Sequence, residues 1–129
     1  DNAAVRIAWD ERVGMTRYVG ICSGGDFAEG RPAGIDAGAA ATITNAERFS
    51  LPVDETVRRL PMGRCVCFFT DSRDRKYLRL ERHPAVRGHL AQHHLQAAGD
   101  ILLYYLMLYI AEKEDGEDLA VACLPVREA

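Results

Sequence analysis

The chain of 129 residues has a single tryptophan, only four cysteines, and no apolar run long enough to cross a bilayer. Its longest such run, residues 101–111, has eleven residues, whereas a spanning helix needs ~20. A membrane-spanning helix is therefore excluded, and no membrane partner is expected. Cys22, Cys65, Cys67 and Cys123 sit in apolar segments with no secretory h-region ahead of them, too sparsely for a disulfide scaffold. Reduced thiols in a cytoplasmic setting are the expectation. Repeats, low-complexity tracts and linkers are also lacking, and the length suits one domain over residues 1–129. With 48% hydrophobic and 27% charged residues, the composition is that of a folded chain rather than a disordered one.

Net charge is −3, so the whole molecule is not a polycation. The distribution is uneven. Between Arg58 and His94, nine cationic residues face three acids, a local balance of 9 − 3 = +6 that leaves −9 for the rest of the chain.

Alternation of Val5, Ile7 and Trp9 with Arg6 predicts a strand over 4–9, and a second follows over 17–22. The glycine-rich stretch 23–38 reads as a long loop, with a short strand after it over 39–44. Acids at the start and arginines at the end predict a short helix over 53–60. A hairpin is expected from strands 64–70 and 76–81 around a polar turn at 71–75. Pro84 suits the first turn of a helix. Val86, Leu90, Ala97, Ile101, Tyr104 and Leu108 line up at helical spacing, which predicts one long C-terminal helix reaching about Glu114. A final strand covers 119–126. The expected fold is α+β, an antiparallel sheet of five or six strands packed on that long helix, with one short additional helix.

Several constellations bear on chemistry. His89 and His93 lie four apart with Asp100 beyond them, and Cys65 and Cys67 share one side of a strand, so a Cys2His2 zinc set is conceivable. The Cys-x-Cys spacing is shorter than usual zinc spacings, and small buried thiols are common in strands. Cys67 and Arg73 have the Cys-x5-Arg spacing of a phosphate cradle, but Phe68 and Phe69 are too bulky for one. Ser23-Gly24-Gly25 lacks the rest of any phosphate-loop motif. No catalytic residue, metal or cofactor is assigned on these grounds.

Two surfaces remain. Residues 101–111 are apolar on every side, so as a helix they need a cover, and self-association through Leu102, Tyr105, Leu106 and Tyr109 is the expected role. Arg73, Arg75, Lys76, Arg79, Arg82 and Arg87 form a positive ridge for an acidic protein partner or, less favoured, nucleic acid or another anion. The sequence thus reads as a non-enzymatic interaction or assembly module, homo-oligomeric, with anion binding as the alternative and a small metal protein or enzyme as the third reading.

Overall fold

The computed structural model describes residues 4–5, 8–9, 17–71, 76–107 and 119–129. In chain order the strands are β1 (Arg17–Cys22), β2 (Ala33–Gly34), β3 (Asp36–Ala40), β4 (Cys65–Asp71), β5 (Tyr77–Leu78), β6 (Leu95–Ala97), β7 (Ile101–Met107) and β8 (Leu119–Glu128). The helices are α1 (Gly24–Ala28), α2 (Ile43–Arg48) and α3 (Pro84–Gln92), with a 3-10 turn at Leu80–Arg82. The main sheet is antiparallel in the order β3-β1-β7-β8-β4, with β6 also paired to β8; β2 and β5 form a separate two-stranded ribbon.

The long C-terminal helix does not exist. Pro84 does open α3, but the helix ends after nine residues, where His94 turns to the left-handed region at φ 51°, the usual way a helix stops. Residues 101–107 are instead a central strand between β1 and β8. Ile101, Leu102 and Leu103 are all buried, with successive side chains on opposite faces. A strand covered on both faces has the same unbroken apolar sequence as a buried helix, and periodicity does not separate the two. The premise of an uncovered apolar rod is withdrawn with the helix.

β6, β7 and β8 make one long hairpin with a break in its ladder. Between the pairs Ala97↔Val126 and Leu102↔Cys123, four residues on one arm pass two on the other. Gly99 lies in this bulge. Pro125 faces it, its carbonyl accepting from Ala98 N at 2.8 Å; its missing N–H points where no ladder bond is made, the position at which a sheet tolerates proline.

Other expectations are also corrected. Ala4, Val5, Ala8 and Trp9 are helical rather than extended; Val5 and Trp9, four apart, share one side of a helix as well as one face of a strand. Trp9 Nε1 donates to Pro52 O at 2.8 Å. The glycine-rich stretch 23–38 holds α1, β2 and most of β3. Ser23 caps α1 by accepting from Asp26 N at 3.1 Å. The strand expected at 39–44 begins earlier, at Asp36, and gives way to α2, capped by Thr42. No helix forms at 53–60: Asp54 instead accepts from Thr56 N at 2.8 Å, a local turn that competes with helix, and Val53 is 70% exposed. The 64–81 hairpin is replaced by longer-range pairing, β4 with β8 and β5 with β2; its turn residues 72–75 lie outside the described residues.

Pairing assigns the faces. Gly20, Cys22, Ile101, Leu103, Tyr105, Ala120, Ala122, Leu124, Val66, Phe68 and Thr70 share one face through their register partners. That face is the core, closed by Phe27 of α1, Leu78, Leu80, and Val86 and Leu90 of α3. Two glycines permit the close approach: a Cβ on Gly24 would stand 2.0 Å from Gly99 O, and one on Gly20 would meet Tyr105 Oη at 2.9 Å. The opposite face carries Val19 and Leu102, both buried, and then Val121, Cys123, Cys65, Cys67 and Phe69 toward the β4 edge.

Candidate functional site

The chemistry-bearing residues collect on this second face. Val126 N donates to Arg64 O at 3.0 Å, so these opposed residues are a hydrogen-bonded pair. Counting by twos, Leu124 with Val66 and Ala122 with Phe68 are hydrogen-bonded pairs, and Cys123 with Cys67 is a non-hydrogen-bonded one. The backbone N–H and C=O of Cys67 and Phe69 therefore point away from β8, to the outer edge of the sheet. Among the described residues no backbone group pairs with them there.

On the outer face Cys67 Sγ donates to Cys123 Sγ at 3.5 Å. Cys67 is exposed and Cys123 half-buried. Burial, followed by the hydrogen bond and charge of Cys67 and then the charge of Cys65, pushes the Cys123 thiol up to about 12. Cys65 is turned to the preceding loop, its Sγ donating to Met62 O at 3.1 Å, and burial raises its pKa. Cys22 is buried on the core face, where desolvation, with Asp100 adding, holds it at about 12. Beside the thiols, Phe69 is 68% exposed and Leu119 is partly exposed.

The Cys2His2 set is not assembled. Cys65 and Cys67 occupy the outer face of β4, while His89 and His93 lie on α3, whose Val86 and Leu90 pack on the core face. The sheet stands between them. His89 and His93 stack with ring centroids 4.4 Å apart, and among the described residues no group of three His, Cys, Asp or Glu is placed to hold a metal ion. Asp100 pairs with Arg58 rather than with a histidine.

A different histidine is the structurally engaged one. His83 Nε2 lies 3.1 Å from Thr70 Oγ1, against the Phe68 ring at 4.8 Å. Burial lowers its pKa, opposed by Asp71, with Arg82 lowering it further. A cavity between the sheet and the β2–β5 ribbon, lined by Ile35, Thr70, Leu78, Leu103 and Tyr105 among others, holds about 10 Å³, room for about one water and no substrate.

The positive ridge is only partly placed. Arg73 and Arg75 lie outside the described residues, as does the acidic segment 112–118. Lys76, Arg82 and Arg87 are exposed. Arg79 lies over the Tyr77 ring at 5.4 Å and pairs with Glu81 at 3.9 Å. Of the expected self-association residues, Leu102 is buried and Tyr105 half-buried on opposite faces of β7, Leu106 is exposed, and Tyr109 is outside the described residues. Leu102 and Tyr105 therefore share no surface. The thiol pair and the open edge beside it were missed from sequence, because β4 was paired with its near neighbour in the chain.

The described elements define an α+β protein rich in antiparallel sheet, and no helix among the described residues is long and apolar enough to cross a membrane. No protein-family model, curated protein or solved structure matches the chain.

Proposed function

We propose that the protein is a non-enzymatic interaction module that self-associates, and that the contact is the outer edge of β4 rather than the segment 101–111. The observation that carries this reading is the backbone row at Cys67 and Phe69, unpaired among the described residues, on a strand with no charge from Cys65 to Thr70. Sheet edges left open are ordinarily guarded by charge, proline or a bulge; the interior of β4 has none of these. Its occupant is a second copy of the chain. A row of alternating donors and acceptors is its own complement under a two-fold rotation, which gives a closed isologous dimer. Antiparallel pairing centred on Phe68 sets Phe69 of each copy opposite Cys67 of the other and joins the two sheets by backbone hydrogen bonds, the strand-addition mode of recognition.

Sedimentation over a wide concentration range, with a non-thiol reductant present throughout, tests the proposal. The expected result is a reversible monomer–dimer equilibrium that shifts to monomer in Phe69→Lys and in Phe69→Pro, the latter removing one outward N–H at an edge position that tolerates it. A strict monomer at high concentration, or a dimer that both variants leave unchanged, overturns it.

A further inference from the structure

We infer that Cys67 and Cys123 form a thiol–disulfide exchange site, Cys67 entering and Cys123 resolving, that takes small-thiol disulfides of the glutathione class. The inference is independent of the proposed dimer, which needs only the backbone edge of β4.

The argument begins with the ladder. Directly opposed residues at a non-hydrogen-bonded position of an antiparallel pair have Cα atoms ~4.5 Å apart, inside the ~4.4–6.8 Å range that disulfides span. Cys67 and Cys123 hold such a position, and their sulfurs are already in contact at 3.5 Å. Closing the bond requires a side-chain rotation, not a movement of strands past one another. The pair is also asymmetric: Cys67 is exposed to an incoming disulfide, whereas Cys123 is half-buried behind it. The remaining cysteines are set apart, Cys22 by burial on the core face and Cys65 by its bond to Met62 O and its place two residues along the same strand.

The exchange balances in two steps. Cys67 Sγ, as thiolate, attacks one sulfur of glutathione disulfide; that S–S bond breaks, and a glutathione thiolate leaves and takes a proton from water in place of the one Cys67 lost. Cys123 then gives its proton to solvent and attacks Cys67 Sγ, and the second glutathione leaves and is protonated. Two protein thiols lose two electrons and two protons, and one glutathione disulfide gains them to become two thiols. Burial, the largest cause of the raised Cys123 pKa, persists through the exchange, but once Cys67 is a mixed disulfide it has neither a thiol proton nor a thiolate charge, and its own smaller share of the push is gone. Oxidation ties the edge strand β4 to the central strand β8, and reduction frees it again.

The test equilibrates the full chain in mixtures of reduced and oxidised glutathione, blocks free thiols, and maps cross-linked peptides by mass spectrometry. The expected result is an intramolecular Cys67–Cys123 bridge in the wild type, reversed by excess reduced glutathione, and formed faster as pH rises. Cys123→Ser is expected to stop at a glutathione adduct on Cys67, and Cys67→Ser to form no bridge. A lasting adduct on Cys67 in the wild type, a bridge using Cys65 or Cys22, a Cys67–Cys67 link between chains, or no reaction at all would each overturn the site. The wild-type mapping stands by itself if a variant fails to fold. Failure here with an intact monomer–dimer equilibrium under reductant sinks only the exchange site, and the converse sinks only the edge contact.

Discussion

Phe27 and Phe69 are both phenylalanines of sheet-packed elements, yet one is completely buried and the other 68% exposed. Phe27 stacks on Phe68 at 5.6 Å on the core face, where two short helices, a 3-10 turn and the β2–β5 ribbon close over the sheet. Phe69 is the next residue after Phe68 and points the other way, onto the thiol-bearing margin of the sheet. The difference teaches that stability and interaction capacity occupy opposite faces of the same strands. The second face is sealed at its centre by Val19 and Leu102 and left open at its β4 margin.

The sharpest break of this comparison is Phe27→Ala, which removes a ring from the core and is expected to cost ~3–5 kcal/mol in denaturant unfolding. Phe69→Ala should change monomer stability by less than ~0.5 kcal/mol. Equal losses would show that the two faces are not divided in this way. Next in size is Gly24→Ala. Its Cβ would stand 2.0 Å from the Gly99 carbonyl oxygen, a backbone atom that cannot rotate aside, and overpacking of this kind costs ~1–3 kcal/mol. Gly38, where an added Cβ meets nothing within 4 Å, is the matched control, and its alanine variant should unfold close to the wild type.

A smaller effect should come from acid. His83 has its folded pKa lowered by burial from an ordinary value of 6.5, so below that value the unfolded chain binds the proton that the folded one resists. Its contribution is intact above about pH 6.5, declines as the pH falls through the folded pKa, and then levels off. Thermal melts of His83→Asn against wild type between neutral and acid pH should show the variant with the flatter acid limb; parallel limbs would place the acid sensitivity elsewhere. The smallest change is expected at Asp100→Asn, which removes the exposed pairing with Arg58. Surface pairs are worth ~0–1 kcal/mol, and high salt should erase the difference between the variant and the wild type.

Several elements were legible in the residues themselves. β1 and β8 carry alternating or continuous apolar patterns that read as strands, β4 reads as one too, and Pro84 marks the start of α3. Residues 101–107 read as helix because an apolar run covered on both faces has no period to betray it. The helix expected at 53–60 has favourable charges at its ends, but Val53 stays exposed and Asp54 closes a local turn with Thr56, and charges alone do not hold a short helix because tertiary packing supplies most helical stability. Half of the candidate site was visible, since the spacing of Cys65 and Cys67 puts them on one side of a strand. Their relation to Cys123 was not, because nothing local records that residue 67 lies opposite residue 123.

The amino-acid sequence by itself determined which stretches are apolar enough to be buried, that Pro84 begins a helix, and how charge is divided along the chain, because these depend on neighbours a few residues apart. Only the tertiary structure decided which strands pair, which face of β4 meets the core, and that two thiols and an open backbone row come to share one margin of the sheet. Those outcomes depend on register between segments far apart in the chain, residue 67 opposite residue 123 among them, and a shift of one residue would turn every side chain of β4 to the other face.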